Sequence, residues 1–233
     1  MRTHAKRYLA IDLEMSVVRD SKFIKRTGLR NEIIQIGAVI LDEKYNIVST
    51  FSQYVHPEHS RIDRYIRELT GITSDKLKDA PNLYDALKEM ADWIGEEPIS
   101  VISWGKTDLS QLKKEVRHKK ISIKTINALF PKWSDFQKIF SARVGVKRQF
   151  SLGGALEMAG IEPEGRAHDG LTDAYNMAKL FGYLKKNPKQ KIYLKKIFTI
   201  TLSSLCNCPG HNSSMYMVLS RAGFNVIVNI FLR

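Results

Sequence analysis

The chain of 233 residues is 43% hydrophobic and 26% charged, an ordinary globular mixture with room for one sizeable core and a small appendage. Its 37 Lys and Arg against 24 Asp and Glu give a formal net charge of +13, which favours a polyanionic partner, nucleic acid or an anionic membrane surface. Two cysteines, Cys206 and Cys208, are too close together for a disulfide framework and lack the second half of a zinc pattern, so a reducing cytoplasm is the expected setting.

In chain order, residues 7–13 read as a buried strand, and the basic stretch VVRDSKFIKRTGLRN after it reads as a loop. Two β-rich runs separated by DEKYN, within NEIIQIGAVILDEKYNIVSTFSQYVHP, read as an antiparallel hairpin. Residues 62–69 look helical. A further helix is expected from about Pro81, with Leu83, Leu87, Met90, Ala91 and Ile94 at helical spacing. PISVISW (98–104) reads as a short central strand, followed by a Lys-rich helix from about Leu109 to His118. Helices at 134–142 and 151–159 each open on Ser as an N-cap, and 171–186 is the last strong helix. Three strands, helices, a strand and more helices make an α/β or α+β sandwich with a mixed sheet.

No acid occurs after Asp173, and Lys185, Lys186, Lys189, Lys191, Lys195 and Lys196 cluster beyond the last helix. Residues 1–184 are therefore expected to form the main domain and 185–233 a basic appendage. The apolar runs 197–205 and 224–232 are too short and too polar to cross a bilayer, and the acids at 12 and 14 break the first apolar stretch. Neither a membrane segment nor a signal peptide is expected.

The question raised by IDLEMS (11–16) is why a strand should present two acids. Side chains alternate faces along a strand, so Asp12 and Glu14 point the same way and repel. A strand end running into a solvated loop would explain that pair alone. Asp108, after the strand ending at Trp104, has a plain reading as a helix-start acid. So does Asp173, in the first turn of the last helix, and His168 alone is an ordinary surface histidine.

Taken together, the order DxE, D, H-x4-D resembles the DEDD-type 3′–5′ exonucleases, DnaQ-like members of the ribonuclease H-like superfamily, in the branch with a catalytic histidine (DEDDh). The resemblance covers roughly residues 6–184. It rests on IDLE, NEIIQIGAVIL, the HP after the hairpin, LTGIT, WGKTD and SLGGALEMAGI before AHDGLTDA. NEIIQIGAVIL with FSQYVHP and ELTGIT is most similar to the branch of the Eri-type RNA exonucleases and KapD-like proteins. The resemblance implies a central mixed β-sheet flanked by α-helices. It also implies hydrolysis of single-stranded RNA or DNA from a free 3′ end, with RNA favoured.

In such chemistry two divalent ions stabilise the attacking and leaving oxygens, and oxygen ligands suit Mg²⁺ or Mn²⁺ better than zinc. The resemblance makes Asp12 the bridge between both ions, has Glu14 and Asp173 complete one site, and lets Asp108 help through water. His168 becomes the general base, a role suited to its titration range. Asp169 lies outside the pattern and takes a structural reading. The resemblance also brings Leu13 and Met15 to the terminal nucleotide, although strand-end packing accounts for Leu13 equally. Trp104 is a candidate base-stacking residue or a core residue. Among the basic stretches, Arg143, Lys147 and Arg148 are the expected strand-tracking cations. The rival functions are a DNA proofreading or repair exonuclease and a catalytically idle nucleic-acid-binding module on the same scaffold.

Overall fold

The computed structural model describes residues 7–189 and, beyond them, the backbone of Ser214–Arg221 and Phe224–Phe231. The opening apolar run forms β1 (Arg7–Val17), extending past the expected 7–13. It is followed by a helix, α1 (Ser21–Thr27), where a loop was expected. The Asp20 carboxylate caps α1 by accepting from the backbone N–H of Lys22 and Phe23, and Gly28 closes it in a left-handed conformation. Only Phe23 of this helix is buried, with Val18 and Leu29 on either side of it in sequence, so seven residues carry no helical period to read.

The hairpin forms as expected, with β2 (Asn31–Leu41) against β3 (Ile47–Tyr54). Next come α2 (Arg64–Thr70), the unforeseen α3 (Ser74–Lys78) and α4 (Leu83–Ile94). Helix α4 buries Leu83, Ala86, Leu87, Met90, Ala91 and Ile94 along one face. Each large member of that stripe contributes about 1.5–3 kcal/mol. The Asn82 side chain caps it by accepting from Asp85 N at 3.1 Å; its loss to Ala costs about 1 kcal/mol.

Strand β4 (Ile99–Ser103) precedes α5 (Thr107–His118), which begins two residues earlier than expected. Helix α6 (Lys124–Leu129), a 3₁₀ turn and the short strand β5 (Trp133–Asp135) come before α7 (Phe136–Val144). Pairing of Trp133, Ser134 and Asp135 with β4 draws Ser134 into the sheet, so Asp135, not Ser134, caps α7. Ser151 does cap α8 (Leu152–Ala159), and α9 (Gly170–Lys186) is the long last helix.

The strand order is β3-β2-β1-β4-β5; β2 is antiparallel to β1 and β3, while β1, β4 and β5 are parallel. This is the expected mixed sheet with helices on both faces. Leu9, Ile11 and Leu13 of β1 share one core layer with Leu87 and Met90 of α4, Leu112 of α5 and Ile126 of α6. Ala10 points the other way, into a layer with Phe136 and Phe140 of α7, Leu156 of α8, and Ala174, Ala178 and Phe181 of α9.

The chain divides into two compact units, Met1–Tyr193 and Leu194–Arg233. In the second, β6 (Ser214–Arg221) and β7 (Phe224–Phe231) form an antiparallel pair. Lys185 and Lys186 end α9, whereas Lys191, Lys195, Lys196, Cys206 and Cys208 lie outside the described residues. Among the described residues no helix is long and apolar enough to cross a membrane.

Candidate active site

Strand β1 outruns its parallel neighbour: pairing with β4 covers only Arg7–Ala10 against Ile99–Ile102. Beyond it, the backbone N–H of Leu13 would lack a ladder partner, and Asp108 Oδ1 accepts from it at 3.2 Å. Asp108 stands in the first turn of α5, where the helix dipole favours an acid, and it is buried. A single hydrogen bond thus fixes one carboxylate between the two positions, Asp12 and Glu14, that project to the opposite side of β1 from Leu13.

On that side the register sets Asp12 opposite Gly37 and Glu14 opposite Gln35, with a β-bulge after Glu14. The N-terminus of α9 rests on this pair of strands. A Cβ built on Gly170 would lie 3.3 Å from Gly37 N and 3.4 Å from Asp12 O, and one on Gly37 would run into the Gly170 backbone. Two glycines therefore let helix and sheet backbones touch where a pair of side chains would hold them apart. Gln35 locks the junction. Its Oε1 accepts from Gly170 N at 3.0 Å, and its Nε2 donates to Asp169 Oδ2 at 3.2 Å. Asp169 caps α9 by accepting from Thr172 N at 3.0 Å, the structural role read for it from sequence.

One turn into α9, Asp173 faces the acids of β1. Its Oδ2 accepts from the backbone N–H of His168 at 3.0 Å. His168 is exposed and has a φ of 61°, a left-handed conformation unfavourable for a side chain with a Cβ. Ligand atoms of Glu14, His168 and Asp173 lie within 4.8 Å of one another.

The electrostatics are those of an unbalanced cluster. Burial pushes the Asp12 carboxyl well above its ordinary range, and the charges of Asp108, Glu14, Asp173 and Asp169 push it further. Burial, then Asp173, Asp169 and Asp108, raises Glu14 to about 7. Burial raises Asp108 to about 6 against the opposing bond from Leu13 N, and burial also raises Asp173 despite the His168 N–H. Asp169 goes the other way: burial opposes ionisation, but the N–H of Thr172 and the Gln35 amide hold its pKa down. Four hard-oxygen donors crowded and desolvated in this way fit a divalent cation, which would relieve the repulsion that burial intensifies.

The structure thus assembles Asp12, Glu14, Asp108, His168 and Asp173. The other expected contacts are distributed differently. Leu13 is 6% exposed and its side chain packs in the core layer away from the acids; only its N–H takes part. Met15 is half-buried against that same layer. Trp104 packs edge-on against Phe136 and donates its indole N–H to Phe150 O at 2.9 Å, while lining a cleft of about 910 Å³ with Lys106, Lys138 and Lys147. Arg143 donates to Asn187 O at 2.9 Å, and Arg148 lies over the Phe150 ring, so of the three basic residues only Lys147 lines the cleft. Gln35, Gly37 and Gly170 were not singled out from sequence. The available signal was a lone Gln and a Gly inside the apolar run NEIIQIGAVIL, whose meaning depends on register.

The exonuclease family model RNase_T matches residues 9–181. The chain is 29% identical over 163 residues to 3′-5′ exoribonuclease 1 of Rattus norvegicus, covering 64% of this chain and 46% of that protein. It is 30% identical over 195 residues to ERI1 exoribonuclease 2 of Danio rerio, covering 74% of this chain and 34% of that protein. The chain thus spans less than half the length of these relatives. Among solved structures, the nuclease domain of 3′hExo, a DEDDh family member bound to rAMP, superposes with a TM-score of 0.67 at 25% identity. That match covers 80% of this chain and 95% of that one. With its five motif residues gathered at one strand end, the chain belongs to the RNase_T exonuclease family, in the DEDDh branch that holds the Eri and 3′hExo proteins.

Proposed function

We propose that the protein is a 3′–5′ exonuclease that hydrolyses single-stranded RNA to nucleoside 5′-monophosphates. The observation that carries the reading is the convergence of four mutually repelling carboxylates and one histidine from three distant chain segments onto the end of β1. RNA is preferred to DNA because relatives along most of this chain are named as exoribonucleases.

Asp12, Glu14, Asp108 and Asp173 would hold two Mg²⁺ or Mn²⁺ ions. Bound there, the ions supply charge stabilisation for the attacking and leaving oxygens of the phosphodiester. The chain's own residues do the rest. Asp12 is positioned by its place opposite Gly37, Asp108 by its bond to Leu13 N, and Asp173 by the docked N-terminus of α9 and the His168 N–H. The His168 imidazole, exposed beside Glu14 and Asp173, takes a proton from the attacking water. Lys106, Lys138 and Lys147, with the Trp104 ring, line a cleft that also holds Asp135 and reaches Thr107, the residue before Asp108, and their charges would suit the phosphates behind the 3′ end.

The test is a 5′-labelled single-stranded RNA and its DNA counterpart, incubated with Mg²⁺, with Mn²⁺ and with EDTA, beside Asp12→Ala. A ladder shortening from the 3′ end, faster on RNA and absent with EDTA and in the variant, is the expected result. Binding without shortening would leave an idle binding module, and faster DNA shortening would transfer the activity to repair or proofreading.

A further inference from the structure

His168 occupies a conformation that its own backbone disfavours, so something must hold its loop. The segment from Glu164 to Asp169 is fixed at both ends. Glu164 exchanges two 2.9 Å hydrogen bonds with the Asn176 side chain, and Asp169 is bound to Gln35 and Thr172 N. Between them stands Arg166. Its guanidinium donates to Glu68 O at 2.5 Å and Leu69 O at 3.4 Å, carbonyls of the last turn of α2. Last-turn carbonyls lack intrahelical partners and form the negative end of the helix, where a cation is favoured.

Helix α2 is itself anchored, since Ile66 packs with Ile34 of β2, Ile72 and Leu77. The guanidinium also lies over Gly71, the left-handed cap of α2 at φ 73°, so closely that a Cβ there would overlap Nη1. The Gly of LTGIT is thereby required twice, once for the cap and once for the arginine.

We propose that Arg166 is a positioning residue for His168: by docking the loop on the C-terminus of α2, it holds the imidazole in its working place. The proposal rests on the exonuclease reading, since it gives His168 the proton-transfer role. Arg166 acts through the loop and touches no reacting atom.

The experiment compares Arg166→Ala, Arg166→Lys, Gly71→Ala and the Arg166→Ala/Gly71→Ala double variant. Steady-state kinetics use single-stranded RNA, and hydrogen exchange is followed across 164–173. Loss of the dock should lower kcat about 10- to 100-fold, as expected for a displaced catalytic group, and leave KM nearly unchanged. Exchange across 164–169 should quicken while Tm moves little. Lysine, which keeps a cation but not the fork, should restore part of kcat. Gly71→Ala should reproduce the kcat loss by evicting the guanidinium, and in the double variant it should add nothing to that loss.

Wild-type kcat and exchange in Arg166→Ala would overturn the proposal. So would losses that multiply in the double variant, or a loss that follows the fraction unfolded. If the wild-type protein shortens no nucleic acid, the exonuclease reading falls, and exchange still decides whether Arg166 holds the loop.

Discussion

Replacing Gly37 by Ala tests the junction that brings α9 to β1. The new Cβ would lie 2.0 Å from Gly170 C, 2.1 Å from Gly170 O and 2.2 Å from Leu171 N. Carbon contacts sit at about 3.5 Å or more, so the first turn of α9 must retreat by about 1.5 Å. That movement breaks the 3.0 Å bond from Gly170 N to Gln35 and carries Asp173, with the His168 N–H bound to it, away from Asp12 and Glu14. Overpacking of this kind costs about 1–3 kcal/mol of stability. A shift above 1 Å in a reacting constellation costs about 100-fold in rate. The variant should therefore fold with a lowered Tm and lose about 100-fold in kcat on single-stranded RNA. Calorimetric titration with Mn²⁺ should show weakened binding, a readout independent of turnover. The matched control is Gly153→Ala on α8, where an added Cβ meets nothing within 4 Å. It should stabilise the helix by up to about 1 kcal/mol and leave activity unchanged. Full activity and unchanged Mn²⁺ affinity in Gly37→Ala would refute the argument that backbone contact at Gly37 places Asp173.

The acid cluster should also govern stability against pH. Because Glu14 is raised to about 7 and Asp108 to about 6, with Asp12 raised too, the folded metal-free protein holds protons that the unfolded chain releases at lower pH. Stability present below about pH 4 is lost as pH rises through 6 to 7, with Glu14 alone contributing on the order of 3 kcal/mol. Thermal melts in EDTA should fall from pH 5 to pH 8, and saturating Mn²⁺ should reduce that fall; a flat profile without metal would contradict the reading. Glu115, buried against Ile33 N and Gln111, is raised mainly by burial to about 8, so its contribution is also lost from about pH 4.5 upward, through pH 8, and metal should not restore it. Glu115→Gln should remove the part of the fall that runs from about pH 4.5 to about pH 8 while activity stays unchanged; a loss of activity would place Glu115 in the site. His168→Ala should cost about 100- to 10,000-fold in kcat with Mn²⁺ affinity nearly intact. If Mn²⁺ binding weakens as far as it does in Asp12→Ala, His168 is a ligand and the general-base role fails.

Much of the site was legible because its chemistry is written in residue type and local period. An acid pair at spacing two in an apolar run must share one strand face, and Asp173 sits in a first turn whose dipole favours it. Helices such as α4, with a full apolar stripe, were equally plain, whereas α1 and α3 each bury one side chain and α6 two, too few to mark a period. Strand β5 exists through pairing with β4, so its three residues carry no strand signal of their own.

The tertiary structure decided what joins distant segments. Local pattern does not state that Gly37 stands opposite Asp12, that Gly170 then meets it, or that Gln35 ties both to Asp169. Nor does it turn Leu13 into the core and Trp104 onto Phe136, or lay Arg166 across Gly71. The sequence by itself determined which groups are candidates for the chemistry, because charge, length and alternation belong to each residue and its near neighbours. Register and helix docking determined where those groups stand, because they arise from packing between segments far apart in the chain, where one Cβ of difference moves the helix that carries Asp173.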